Sequence, residues 1–89
     1  MLKVVTTRKF DREAKRVVRR GKDWGKMEEV VSRLMQRLPL EYKHHDHQLS
    51  GKLKDRRDCH VEPDWVLLYQ VTETELILER TGTHSDIFG

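Results

Sequence analysis

The sequence predicts an α+β domain in which an N-terminal strand and two antiparallel helices pack on one face of a small, mainly antiparallel sheet. Three observations predict it. Apolar residues recur at helical spacing between Thr7 and Pro39. From Arg56 onward the spacing becomes that of strands, and two apolar runs are separated by a tight turn. The chain has 89 residues, 36% of them apolar, which suffices for one compact core. Residues 1–89 are therefore read as a single domain.

Leu2 to Thr6 is a short β-compatible run with two adjacent valines, an opening strand. Thr7 follows as a helix N-cap, its hydroxyl able to accept from a free amide of the first turn. Phe10, Ala14, Val17 and Val18 then define one helix face, and Gly21 suits the left-handed conformation that ends a helix. Asp23 caps a second helix with the apolar face Trp24, Met27, Val30, Val31, Leu34 and Leu38. Pro39 stops it, having no amide donor and restricting its predecessor.

Glu41 to Gly51 is polar, rich in histidine and without a usable period, so it reads as a loop. Arg56 to Glu62 alternates: Asp58, His60 and Glu62 share one strand face, while Arg57, Cys59 and Val61 share the other. Glu62-Pro63-Asp64 marks a turn, and Trp65 to Val71 is a nearly continuous apolar strand suited to the centre of a sheet. Thr72 to Thr74 turns the chain into a second strand, Glu75 to Thr81, and Gly82-Thr83-His84 closes it before a short tail, Ile87-Phe88-Gly89. Trp65 and Tyr69 fall on one strand face and are assigned to the core.

Composition excludes several function classes. No run approaches the roughly 18 apolar residues of a membrane span, and the apolar start is too short for a secretory signal. The single cysteine rules out an internal disulfide framework and fits a reducing compartment, so a cytoplasmic location is expected. Charge is divided unevenly. Residues 1–57 carry 17 Lys/Arg against 8 Asp/Glu, while residues 58–89 carry one Arg, Arg80, against 7 Asp/Glu. The basic half, ending in Lys52, Lys54, Arg56 and Arg57, would attract a polyanion in a salt-dependent way. An acidic protein partner would use the same surface equally well.

The five histidines carry the chemistry. His44, His45 and His47 lie in the polar loop, His60 on a strand, and His84 just after the last strand. A metal site is not expected. His44, His45, His47, Cys59 and His60 are competent ligands, but there is no CxxC pair or HExxH helix, and alternation turns Cys59 away from His60. The same alternation separates Cys59 and His60 as a nucleophile–base pair. Acid–base cleavage of RNA is the third reading: imidazole, with an ordinary pKa of about 6.5, suits both proton transfers near neutral pH. Composition permits this reading without selecting it.

The segment Arg57-Asp58-Cys59-His60-Val61-Glu62-Pro63-Asp64-Trp65-Val66-Leu67-Leu68-Tyr69 strongly resembles the YafQ branch of the RelE/ParE toxin superfamily. So does Glu79-Arg80-Thr81-Gly82-Thr83-His84-Ser85-Asp86-Ile87-Phe88-Gly89, and the stretch from Tyr42 to Gly51 is similar to that family's loop before the sheet. Over residues 1–41 the likeness rests on strand–helix–helix order and basic character. The departure is local: His44, His45, Asp46 and Gln48 make the loop richer in histidine than the family pattern.

The resemblance implies a RelE-like fold and a ribosome-dependent mRNA endoribonuclease, the toxin of a bacterial toxin–antitoxin pair. It would cut the codon in the ribosomal A site with no metal or other cofactor. The family's active-site histidines fall on His47, His60 and His84, its acidic residues on Asp58 and Asp64, and its aromatic contact on Phe88. Residue chemistry then assigns His60 and His84 as the acid–base pair with His47 assisting, and Asp64 as orienting a histidine or the 2′-hydroxyl. Arg57 and Arg80 are candidates for the phosphorane, Arg80 with Glu79 or Glu62 as alternative partners, and Lys52 and Lys54 for phosphate contacts. Phe88 either stacks on a base or packs in the core. The expected partners are a cognate antitoxin, the ribosome with its RNA, and mRNA, with no membrane. The alternatives are a ParE-like toxin that binds DNA gyrase without catalysis, which has no need of the three histidines, and an inactive relative kept as a binding module.

Overall fold

In the computed structural model, which describes residues 1–89, the chain runs β1 (Lys3–Thr6), α1 (Arg8–Arg19), α2 (Trp24–Met35), β2 (His47–Gln48), β3 (Arg57–Glu62), β4 (Trp65–Val71), β5 (Glu75–Gly82) and α3 (His84–Phe88). Short 3-10 turns at Tyr42–His44 and Gly51–Leu53 flank β2. The five strands form one sheet in the order β1-β5-β4-β3-β2, with β1 parallel to β5 and the other pairs antiparallel. This is the expected strand–helix–helix–sheet architecture.

The helices start where the sequence signals them. Thr7 Oγ1 accepts from the Phe10 amide at 3.0 Å and donates to the Glu79 carbonyl at 2.8 Å, which fixes the start of α1 against β5. Gly21 follows α1 at φ 92°, and Asp23 caps α2 by accepting from the Gly25 amide at 2.9 Å. One stop is earlier than expected. Arg37 adopts φ 59° after α2 has ended at Met35, so Leu38 lies beyond the helix and is 43% exposed. Val18 is likewise half-exposed, because α1 turns Phe10, Glu13 and Val17 inward instead.

The core is the layer between the helices and one sheet face. Phe10, Val17, Met27, Val30 and Leu34 pack there against Cys59, Val61, Trp65, Leu67, Tyr69, Leu76 and Leu78. Trp65 and Tyr69 are buried as expected, and the Trp65 indole N–H donates to Thr81 Oγ1 at 2.9 Å. Alternation along β3 sends Cys59 and Val61 into this layer and leaves Asp58 and His60 on the opposite face, paired in register with Leu68 and Val66. A bulge between His60 and Glu62 interrupts the ladder beside that histidine.

Two elements were not expected. Within the polar loop, His47 and Gln48 pair with Asp58 and Arg57 as β2. The C-terminal tail is a single helical turn, closed by a reciprocal cap: Thr83 Oγ1 accepts from the Asp86 amide and Asp86 Oδ2 accepts from the Thr83 amide.

Candidate active site

Three elements converge on the sheet face away from the core. β3 presents Asp58 and His60, β2 places His47 opposite Asp58, and α3 begins with His84. The His60 and His84 rings meet edge to face at a centroid distance of 4.8 Å. Asp64, in the turn between β3 and β4, holds His84 twice: its Oδ1 accepts from the backbone amide at 3.0 Å and lies 2.7 Å from Nδ1. The backbone amide, and then the side chain, of His84 hold the Asp64 carboxyl below its ordinary range. An ionised Asp64 requires the proton on Nδ1, which leaves His84 Nε2 to face a substrate.

His60 differs. Burial lowers its pKa from the ordinary 6.5, the charge of His84 lowers it further, and Asp58 opposes both. His60 is therefore neutral near pH 7. Asp58 is itself buried, 4% exposed, and burial raises its carboxyl above the ordinary value while His47, His60 and His84 pull it back. His47 Nδ1 stands 3.0 Å from Asp58 Oδ1 but is aligned with the His45 carbonyl at 2.8 Å. Asp58 Oδ1 is left without a hydrogen-bond partner. The histidine cluster thus encloses a buried carboxyl oxygen that no donor in the protein satisfies.

The remaining candidates divide. Phe88 follows His84 by one turn of α3, with ring centroids 6.4 Å apart, and is 46% exposed; it is not a core residue. Arg57 Nε donates to Asp46 and to the Tyr69 hydroxyl, both at 3.3 Å, and Tyr69 donates a short hydrogen bond to Asp46. Its terminal guanidinium nitrogens stay unbonded. Arg80 pairs with neither Glu79 nor Glu62. It donates to buried Glu13 of α1, at 2.7 Å from Nη2, and to the carbonyls of Asp86 and Ile87. Glu79 takes Arg56, and Glu62 takes Lys22 and Lys26. Lys52 and Lys54 are exposed around the second 3-10 turn, outside the histidine cluster.

Sequence reasoning missed three contributors. Glu13 is 3% exposed and anchors Arg80, and through it α3. Asp46 ties the loop to Arg57 and Tyr69. His44 Nδ1 lies 2.7 Å from the His60 carbonyl. Arg80 was the one signal for Glu13: a lone arginine in an acidic half needs a partner from elsewhere. Cys59 is fully buried, and burial pushes its thiol far above the ordinary value, which removes it as a nucleophile. No three His, Cys, Asp or Glu side chains converge in the geometry of a metal site.

The chain as a whole has known relatives. A family model described as the bacterial toxin of type II toxin–antitoxin systems, YafQ, matches residues 2–89. The chain is 42% identical over 81 residues to the mRNA interferase toxin YafQ of Escherichia coli (strain K12), covering 90% of this chain and 88% of that protein. A chain of the crystal structure of the E. coli DinJ–YafQ complex superposes with a TM-score of 0.93 at 38% identity, covering 100% of both chains. A metal-bound toxin from Helicobacter pylori superposes with a TM-score of 0.93 at 43% identity, over 99% of this chain and 100% of that one.

Proposed function

This chain belongs to the YafQ family of toxins from bacterial type II toxin–antitoxin systems, and we propose that it is an mRNA interferase, an endoribonuclease that cuts the codon in the ribosomal A site by metal-independent acid–base catalysis. One observation carries the mechanism: the 4.8 Å His60–His84 pair, with Asp64 on His84 Nδ1.

Neutral His60 takes the proton of the ribose 2′-hydroxyl, whose oxygen attacks the adjacent phosphorus. The bond from phosphorus to the 5′-oxygen breaks, and protonated His84 gives its Nε2 proton to that leaving oxygen. The products are a 2′,3′-cyclic phosphate and a 5′-hydroxyl, so every proton is accounted for within the pair. Burial and the His84 charge support the division of labour, since they weigh against a second charge on His60. His47 faces the phosphorane's developing charge, Asp58 stabilises the charge that His60 gains when it takes the proton, and Phe88 stacks on a base, while Arg57, on the core-side face of β3, acts as a positioning residue that ties the loop to the sheet through Asp46. Arg80 acts as a positioning residue that holds α3, and Lys52 and Lys54 meet phosphate at longer range.

The ribosome supplies the positioning that so small a surface lacks. The cognate antitoxin is proposed to cover α1 and the start of α2, where Ala14 and Val18 of α1 and Trp24 of α2 form an apolar strip beside Lys15 and Arg19. A gyrase-binding toxin would have no use for the histidine–aspartate geometry, which supports the nuclease reading. The test is cleavage on programmed ribosomes in EDTA, wild type beside His60→Ala and His84→Ala. Cutting in the A-site codon by wild type alone is expected; an uncut message with wild type would overturn the proposal.

A further inference from the structure

The chain contains two Phe, two Trp and two Tyr. Four are committed to the core: Phe10, Trp65 and Tyr69 are buried, and Trp24 packs between Phe10 and Trp65 with ring centroids 6.2 Å from each. The other two, Tyr42 and Phe88, are exposed and stand at opposite ends of one row of rings. Successive centroids along that row are 5.7 Å apart for Tyr42–His45, 5.5 Å for His45–His60, 4.8 Å for His60–His84 and 6.4 Å for His84–Phe88.

Folding does not account for the Tyr42 end. Tyr42 is 91% exposed, yet the turn that carries it is fixed. The His44 amide donates to the Glu41 carbonyl and the His45 amide to the Tyr42 carbonyl, both at 3.0 Å. His44 Nδ1, 2.7 Å from the His60 carbonyl, fastens the turn to the strand bearing the central histidine. His45 takes φ 46°, a left-handed conformation uncommon outside glycine, and its ring falls between Tyr42 and His60. The turn thus holds two rings in succession next to the reacting pair, one of them almost wholly open to solvent. A ligand lying along this row must cross the His60–His84 pair, which points to the substrate itself.

We propose that Tyr42 and His45 form a nucleobase-stacking subsite, holding the base on one side of the scissile phosphate while Phe88 serves the other side. The inference rests on the nuclease reading of the His60–His84 pair. Stacking on an aromatic face tolerates any base, so the subsite positions RNA without selecting a codon. Acidic groups do not oppose it strongly: Glu62 nearby is paired with Lys22 and Lys26, and Glu41 stands 4.0 Å from Lys43.

Single-turnover cleavage on ribosomes tests this, with messages carrying one abasic ribonucleotide immediately 5′ or immediately 3′ of the scissile phosphate. On the intact message, Tyr42→Ala is expected to slow cleavage about 5-fold or more, with Tyr42→Phe close to wild type. At one of the two abasic positions wild type slows by a similar factor and Tyr42→Ala adds no further loss. A Tyr42→Ala defect that is absent, or identical on all three messages, overturns the subsite while leaving the nuclease intact. An intact message left uncut by wild type overturns the nuclease reading and the subsite with it.

Discussion

Asp64 Oδ1 lies 2.7 Å from His84 Nδ1 and 3.0 Å from the same residue's backbone amide, so one carboxylate oxygen fixes both the start of α3 and the tautomer of its first side chain. The two residues are 20 apart in sequence and meet only because β3 and β5 flank β4, which brings the β3–β4 turn beside the end of β5.

Asp64→Asn keeps the shape and removes the charge. An amide can turn either its oxygen or its nitrogen toward Nδ1, so the tautomer is no longer enforced. Cleavage is expected to fall about 10- to 100-fold, less than the 10²–10⁴-fold loss typical of deleting an acid or base outright. The carboxylate is exposed, so the melting temperature should barely move. Single-turnover rates beside thermal melts check both expectations.

His60 should titrate below the ordinary histidine value of 6.5. Since the charge of His84 contributes to that depression, the midpoint should rise towards 6.5 in His84→Asn. NMR titration of the imidazole signals reads both. Cleavage by wild type should correspondingly decline on the acid side as pH falls through the His60 midpoint, because the base is then protonated. A His60 midpoint above 6.5 would contradict the assignment of His60 as base.

Asp58 is a site where stability has been given up. Burial raises its pKa above the ordinary 3.8, so the group's favourable contribution to folding is present below 3.8 and is lost as pH rises through the raised value. Asp58→Asn is therefore expected to melt higher than wild type near pH 7, by about 4–8 °C if the relief is about 1 kcal/mol. The difference should close as pH falls towards 3.8, and cleavage should weaken in the same variant. Melting curves across pH decide it; a lower melting temperature at pH 7 would mean that the histidines more than offset burial.

The Glu13–Arg80 pair should matter for both fold and activity. Glu13→Gln leaves a guanidinium partly buried without its counter-charge, for a loss of about 2–3 kcal/mol, moderated because Arg80 is 22% exposed. Gly82→Ala acts more locally. Gly82 sits at φ 155°, and a Cβ there would lie 2.8 Å from Asp86 Oδ2, which is held below its ordinary pKa, at about 2, by Arg20 and then the Thr83 amide. Unseating that cap should displace His84 and reduce cleavage more than it reduces stability. Urea denaturation beside cleavage rates separates the two effects.

Much of this was legible in the sequence because it depended on local signals. The caps at Thr7 and Asp23, the alternation through Asp58 and His60, and the apolar run from Trp65 to Val71 are each written within a few consecutive residues. Burial of Glu13, the β2 pairing of His47 with Asp58, and the His44 contact with the His60 carbonyl join segments far apart in the chain, and no period announces them. The helical turn at the C-terminus was readable in principle: Thr83 and Asp86 have capping-box spacing, masked by the brevity of the segment.

The central claim, that His60 removes the 2′-proton and His84 protonates the leaving oxygen, is tested most directly with a message whose scissile 5′-bridging oxygen is replaced by sulfur. A thiolate leaves without a proton, so it has no need of an acid. Single-turnover cleavage of this message by His84→Ala should recover to near the wild-type rate, while His60→Ala remains inactive. Equal defects of both variants on the sulfur message, or recovery of His60→Ala instead, would contradict the account.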